Sequence, residues 1–353
     1  MHTSPIRLAG WLAACACASA HAQSPLEVYG LLDVNLGVTS HFAEDGGSVV
    51  RVSSHGMNTS RLGFRGGEDL GAGTRAVYQL EMGIAPDTGA ADSPLFKRQA
   101  NVGIEGRYGR LVVGRSFTSV YDFMQAYDPM AYAPFYSWAP TGNASGASKY
   151  GMTFAFDNMV KYTGKAGNFT FGANYGAGEK SSGSDGARAA LALNYASGPY
   201  GMVATWERAN GQQAGPDAAR EVATAWHLGA FAGVGKMKIQ AALRDYRLKP
   251  SGPLTPEVRA RLYWAGASYL LTPLLTLTGA VYYQDVRNVA AGADADPAMV
   301  VARLRYALSK RTDMYAMTAY ARARNGLRVS LARDDAGFGS TQRGTAVGIQ
   351  HRF

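Results

Sequence analysis

What most constrains this chain is a period-two alternation of apolar and polar residues that recurs from one end to the other. Leu26 to Val38 reads LEVYGLLDVNLGV. On an extended backbone Val28, Gly30, Leu32, Val34 and Leu36 share one face, and Glu27, Tyr29, Leu31, Asp33 and Asn35 share the other. Ser60 to Arg65 sets Leu62 and Phe64 against Arg61, Gly63 and Arg65. Thr74 to Gly83 sets Ala76, Tyr78, Leu80 and Met82 against Arg75, Gln79 and Glu81. No stretch reaches the ~18 apolar residues of a spanning helix, and no long stripe of period 3.6 marks a helix of another kind.

The alternating runs are joined by short turns and longer polar loops in turn. Short turns fall at 105–109, 164–167, 197–201, 232–235, 271–274 and 309–311, and longer loops at 86–93, 176–186, 210–218, 249–257, 288–297 and 323–342. His41 to Asn58 reads as one more long loop. Phe169–Tyr175 is expected to pair with Arg188–Ala196, and Met237–Leu248 with Arg259–Leu270. Leu275–Asp285 is expected against Ala298–Leu308, and Thr312–Arg322 against Thr345–Phe353. At about ten residues per membrane strand plus connections, the chain accommodates about 16 strands in one domain.

The polar faces decide which solvent the sheet meets. Arg303 and Arg305 lie opposite Val300, Ala302, Leu304 and Tyr306. A soluble sandwich buries its apolar face between sheets. A membrane barrel turns that face to lipid and the polar face to a water-filled lumen, and its closure leaves no backbone edge unpaired. Tyr150, Tyr162, Tyr175, Tyr195, Tyr200, Trp206, Tyr269, Tyr283 and Tyr306 stand near strand ends, where interfacial girdles form. The expectation is an all-β, transmembrane antiparallel β-barrel.

The N-terminus agrees with export. Arg7 precedes the apolar run Leu8–Ala20, and Ala20-His21-Ala22 is a small-x-small cleavage site, so residues 1–22 read as a signal peptide and 23–353 as the barrel. Leu12-Ala13-Ala14-Cys15 offers a rival lipobox with Cys15 as the lipidated residue. Both cysteines, Cys15 and Cys17, fall within the signal, so the exported part relies on no disulfide. A net charge of +9 suggests nucleic acid when taken alone, but the basic residues are scattered and the chain is exported, so no nucleic-acid partner is expected. There is no H-E-x-x-H, no G-x-S-x-G and no Cys/His metal spacing, so no catalytic residue, metal or cofactor is expected.

Ser116 to Tyr150 is too long for an ordinary connection. It is also too rich in aromatics for disorder, with Phe117, Tyr121, Phe123, Tyr127, Tyr132, Phe135, Tyr136 and Trp138. Its charges are Asp122, Asp128 and Lys149. Such a loop packs against something while presenting a few acids.

The chain resembles the general-diffusion porins of Gram-negative outer membranes, the neisserial and burkholderial group in particular. The residues that carry the resemblance are LEVYGLLDVNLG (26–37), SRLGFRGGEDLGAGTRAVYQLEMG (60–83), LFKRQANVGIEGRYGRLVVGRSFTSVYDF (95–123), DNMVKYT (157–163), YALSKRTDMYA (306–316) and GIQHRF (348–353). The resemblance implies a 16-stranded barrel, usually a homotrimer, that passes small hydrophilic solutes passively. It implies that the third loop, here 116–150, folds into the lumen and opposes its acids to basic residues of the wall. By motif, Arg61 and Arg98 are wall arginines. Arg65 and Arg75 are lumen-facing by alternation. Asp122 and Asp128 are the candidate acids. Where the family often carries an arginine before the DN motif, this chain has Phe154-Ala155-Phe156, which leaves Lys149 and Lys161 as replacements. The Pro-Glu-Phe type of acidic motif is absent from the loop. The family register places Arg98 in the lumen and Gln99, Asn101 and Gly103 outside. Ile349, His351 and Phe353 resemble the C-terminal signal read by the barrel-assembly machinery. Outer-membrane lipid and lipopolysaccharide are further implied partners. The expected function is a weakly anion-preferring channel. The alternatives are a substrate-specific channel on the same barrel, with the aromatic loop as a slide, or a surface protein such as an adhesin or receptor.

Overall fold

The computed structural model describes residues 26–141, 150–180, 184–213, 219–252, 255–333 and 335–353. The expected signal peptide, its cleavage site, Cys15 and Lys149 lie outside these residues. Among the described residues eighteen strand segments follow one another: β1 Glu27–Thr39, β2 Val49–Ser54, β3 Arg61–Gly71, β4 Thr74–Ala85, β5 Ala90–Ala91, β6 Gln99–Gly106, β7 Gly109–Phe117, β8 Ala155–Ala166 and β9 Phe169–Gly176. They continue with β10 Arg188–Ser197, β11 Tyr200–Gln213, β12 Arg220–Val234, β13 Met237–Lys249, β14 Val258–Leu270, β15 Leu275–Arg287, β16 Ala298–Ala307, β17 Thr312–Arg322 and β18 Thr341–Arg352.

Every stave pairs antiparallel with the next. β1 pairs with β18 from Leu31↔Arg352 to Thr39↔Gly344, which closes the sheet into a barrel. Two of the eighteen segments add no stave. β2 pairs with residues 34–39 of β1 and β3 with residues 27–31, so the two are halves of one interrupted stave. β5 pairs only with the end of β4. The barrel therefore has 16 staves (18 − 2), as the alternation and the resemblance led us to expect. The expected pairs of β9 with β10, β13 with β14, β15 with β16 and β17 with β18 all form.

The two faces separate as the alternation requires. Leu32, Leu36, Val102, Ile104, Leu228, Val281, Val300 and Val347 are all exposed and all on the outer face. An apolar belt of that extent is stable in lipid and not in water. Tyr175, Tyr195, Tyr200, Tyr269, Tyr283 and Tyr306 are exposed near strand ends, as a girdle demands. Tyr150 is different: it packs against Tyr246, with 5.7 Å between ring centroids.

Three segments depart from expectation. Residues 41–58 are not one loop, because Val49–Ser54 finds free edge along the upper half of β1 and pairs with it. Residues 323–342 are not wholly polar in environment, because Val329, Ser330 and Leu331 are fully buried. The 116–150 segment contains a short helix, α1 (Ser119–Met124), followed by a 3-10 turn at Gln125–Tyr127. The apolar core is thus not a layer between sheets. It lies inside the barrel, where Val120, Met124, Tyr127, Met130, Tyr136 and Trp138 of this segment meet Trp264, Tyr282, Met299 and Met317 of the wall.

Candidate functional site: the narrowed lumen

One inward side chain on β1 shapes the first side of the opening. Asp33 is fully buried and accepts the backbone N–H groups of Gly56 (3.0 Å), Met57 (3.0 Å) and Asn58 (2.8 Å) and the hydroxyl of Tyr315 (2.5 Å). Three successive amides turned onto one carboxylate cannot also serve a ladder. The chain therefore leaves the sheet between β2 and β3, and His55 and Thr59 come to line a cavity beside Arg98.

The basic wall follows from the next two strands. Gly63 of β3 stands opposite Glu81 of β4, which sets Arg61 diagonally beside that carboxylate. Glu81 is only 4% exposed. Its oxygens lie 2.7 Å from Arg98 Nε and 3.8 Å from Arg61 Nε, and one accepts the Tyr29 hydroxyl at 2.8 Å. Two guanidinium groups share one carboxylate. Arg98 reaches the lumen by a route that the register expectation did not contain. Gln99 and Asn101 line an inner cavity, while Ala100 lies in their outward alternation and Val102 and Ile104 are exposed to lipid. The family-derived register, with Gln99, Asn101 and Gly103 outside, is therefore corrected. Arg98 precedes the first residue of β6, so it is released from strand parity and turns inward from the loop.

The third loop supplies the opposite side. Thr118 caps α1, its hydroxyl accepting Tyr121 N–H at 3.0 Å and donating to the Thr153 carbonyl at 2.9 Å. The helix buries Val120 and Met124 and turns Tyr121 and Asp122 toward open space. Asp122 forms an ion pair with Lys161, whose ammonium also donates to the Phe117 carbonyl at 2.9 Å. These two charges largely cancel and tie the loop to β8.

Asp128 has another place. It is fully buried and accepts Met130 N–H (3.2 Å), Tyr132 N–H (2.7 Å) and the hydroxyls of Ser137 (2.7 Å) and Tyr282 (2.5 Å). Burial pushes its carboxyl above the usual range, against the pull of those four donors. Asp128 lies in the loop's own core, and does not face arginines across water. Further straps run from wall to loop. Trp264 Nε1 donates to the Tyr127 carbonyl (3.0 Å), Arg244 to Ala139 (2.6 Å), Arg303 to Met130 (3.2 Å) and Gln240 to Ala126 (2.9 Å). The last long loop folds in on top. Trp138 Nε1 donates to the Ser330 carbonyl at 3.1 Å, Arg333 N–H to Pro134 at 2.9 Å, and Arg51 pairs with Asp335.

Two of the open spaces lie between the loop and the polar wall, and a smaller one of about 290 Å³ lies beside Glu207, Thr224 and Tyr246 of the opposite wall. One cavity of about 460 Å³ is lined by His55, Thr59, Asp92, Lys97, Arg98, Tyr121, Phe154 and Arg333, among others. A second of about 460 Å³ meets Gln79, Gln99, Asn101, Arg110, Asp122 and Lys161. Arg65 stands farther along β3, paired with Glu27 at 2.6 Å and 4.8 Å from the centre of the Tyr29 ring. Arg75 lies near the β3–β4 turn, opposite Glu105, and like Arg65 lines neither cavity. Sequence reasoning did not single out Glu81, Asp92, Lys97 or Arg333. For Glu81 the signal was present, since it shares the polar face of β4 with Gln79. For Arg333 the signal was the Val329-Ser330-Leu331-Ala332 stretch just before it, apolar at three of its four positions.

At the C-terminus, Phe353 exchanges backbone hydrogen bonds with Gly30 (3.1 and 3.2 Å), and its ring lies over that glycine, where any Cβ would collide with it. Ile349 is exposed on the outer face, and His351 Nδ1 lies 2.9 Å from the Thr312 hydroxyl. Among the described residues no group of three or more His, Cys, Asp or Glu is placed to hold a metal ion.

Comparison with known proteins agrees with this architecture. Outer membrane porin protein 32 of Delftia acidovorans is 28% identical, over 96% of this chain and 97% of its own. The anion-selective porin from Comamonas acidovorans superposes with a TM-score of 0.79 at 24% identity, covering 94% of this chain and 100% of that one. OmpT of Vibrio cholerae, in its trimer form, does so with a TM-score of 0.69 at 16% identity, covering 94% and 99%. The family model described as Gram-negative porin matches residues 9–326. The chain belongs to the Gram-negative porins, outer-membrane barrels that pass small hydrophilic solutes by diffusion.

Proposed function

We propose that this porin has a weak preference for anions, set where Arg61 and Arg98 share the single carboxylate Glu81. Among the described residues, the cavity beside them is lined by Lys97, Arg98 and Arg333 and by the carboxylate of Asp92. A positive excess in a narrow gap between low-dielectric walls raises the local anion concentration. Glu81 and Asp92 offset part of that charge, which keeps the preference weak. An anion-selective porin shares the fold, which supports the reading.

The measurement is the reversal potential of single channels in a potassium chloride gradient. A potential on the anion side is expected, and Arg61→Ala moves it toward cations. A firm cation preference in the unaltered channel defeats the proposal.

The protein further acts as a homotrimer, by analogy with the relative found in trimer form. It carries a cleaved signal over 1–22, sits among outer-membrane lipid and lipopolysaccharide, and presents Ile349, His351 and Phe353 to the assembly machinery. A heat-sensitive oligomer of three chains in detergent tests the first of these. Loss of membrane insertion on removing Phe353 tests the last.

A further inference from the structure

The cavity beside Arg98 has two chemically different sides. Lys97, Arg98 and Arg333 lie on it, and so do Tyr121, Phe154 and Met152. The aromatic side is continuous and backed. The Tyr121 ring is 5.0 Å from Phe117, 4.8 Å from the buried Tyr132 and 6.3 Å from Phe154, centroid to centroid. Behind the lining, Phe117 links the two sides: its ring packs on Tyr121, and the Arg98 guanidinium lies 5.0 Å from its centre. Most other aromatics of the third loop are spent on the internal core: Tyr127, Tyr132, Tyr136 and Trp138 are all buried. Tyr121 and Phe154 are not, and Phe154 is 41% exposed.

We propose that this cavity is a low-affinity binding site for aromatic carboxylates, with benzoate as the simplest member. The carboxylate is taken by Lys97 and Arg98, and the ring lies against Tyr121 and Phe154. A carboxylate meets guanidinium and ammonium donors through charge-assisted hydrogen bonds. A planar ring gains from offset or edge contact with other rings beyond the area it buries. A volume near 460 Å³ holds one ring with water around it. Binding therefore slows a passing solute and does not plug the channel. The proposal rests on the anion preference above for its charge half only; the aromatic half is separate.

The test uses the full-length protein in planar bilayers, with chloride current measured against added benzoate, acetate and neutral benzamide. Benzoate is expected to reduce the current at concentrations where acetate and benzamide leave it unchanged. Tyr121→Leu combined with Phe154→Leu is expected to weaken the benzoate block about tenfold, since each lost aromatic contact is worth a few-fold. The chloride-over-potassium reversal potential stays where it was. Tyr121→Phe keeps the ring and keeps the block, which separates recognition from misfolding. Lys97→Gln lowers both the block and the anion preference. Equal block by acetate and benzoate overturns the proposal, as does a block that survives the double leucine variant. A cation-side reversal potential with benzoate block intact overturns the anion preference alone.

Discussion

The two inner walls of this barrel are built on different physics. The wall of β3 to β8 is polar inside and bears Arg61, Glu81, Gln99, Asn101 and Lys161. The wall of β11 to β17 combines an apolar patch, with Val203, Leu262, Trp264, Tyr282, Met299, Val301 and Met317 all buried, with Gln240, Arg244 and Arg303, whose side chains are spent on carbonyls of the third loop. A porin wall facing water has no reason to carry such an apolar patch, and this patch does not face water. The third loop lies on it and is strapped by Asp128, and the 323–340 loop covers the third in turn. One half of the interior is a protein core in miniature, and the other half is a channel. Position and chemistry of the opening are thereby divided. The half that holds the loops decides where the gap is, and the half bearing Arg61, Arg98 and Glu81 decides what passes.

That division breaks or holds under substitution. The largest effect belongs to Asp128→Ala. It leaves two backbone N–H groups and two hydroxyls without their buried acceptor, at about 3 kcal/mol or more in all. The loop should come away from the wall, giving higher and noisier single-channel conductance and a lower unfolding temperature. An unaltered conductance trace would show that the loop needs no such anchor. Trp264→Ala comes next, with a loss of about 3 kcal/mol from the cavity and the missing bond to Tyr127. Its signature is reduced heat resistance on unboiled gels with little change in ion preference.

Substitutions on the polar wall should do the reverse. Glu81→Gln frees two guanidinium groups of their shared counter-charge, so the reversal potential should move further toward anions, opposite to Arg61→Ala. Movement of both variants in the same direction contradicts the basic-wall account. Lys161→Met is the mildest. It deprives Asp122 of its partner at about 1 kcal/mol and adds one uncompensated negative charge to the second cavity. A small shift toward cations is expected, visible near 0.1 M salt and lost near 1 M, where the screening length falls to about 3 Å.

Much of this molecule was legible beforehand because alternation is local. Val28 to Leu36 and Arg61 to Arg65 took the faces their spacing assigned, and strand partners followed from turn lengths. Arg98 shows the limit of the rule. Its parity with Ala100 and Val102 points outward, yet it ends in the lumen because it lies one residue before the strand begins. Asp128 shows a second limit. An acid in a loop looks solvated until the donors around it are known, and Tyr282 comes from 154 residues away.

By itself the sequence determined the sheet, its closure into a membrane barrel and the polar side of each stave. Period two is written residue by residue, and lipid enforces it without reference to distant parts. The tertiary structure alone decided where the lumen narrows. It broke the stave at residues 55–60 around Asp33, laid two loops on one wall and brought Arg333 beside Arg98. Those outcomes depend on contacts between residues tens to hundreds of positions apart, which no local pattern encodes.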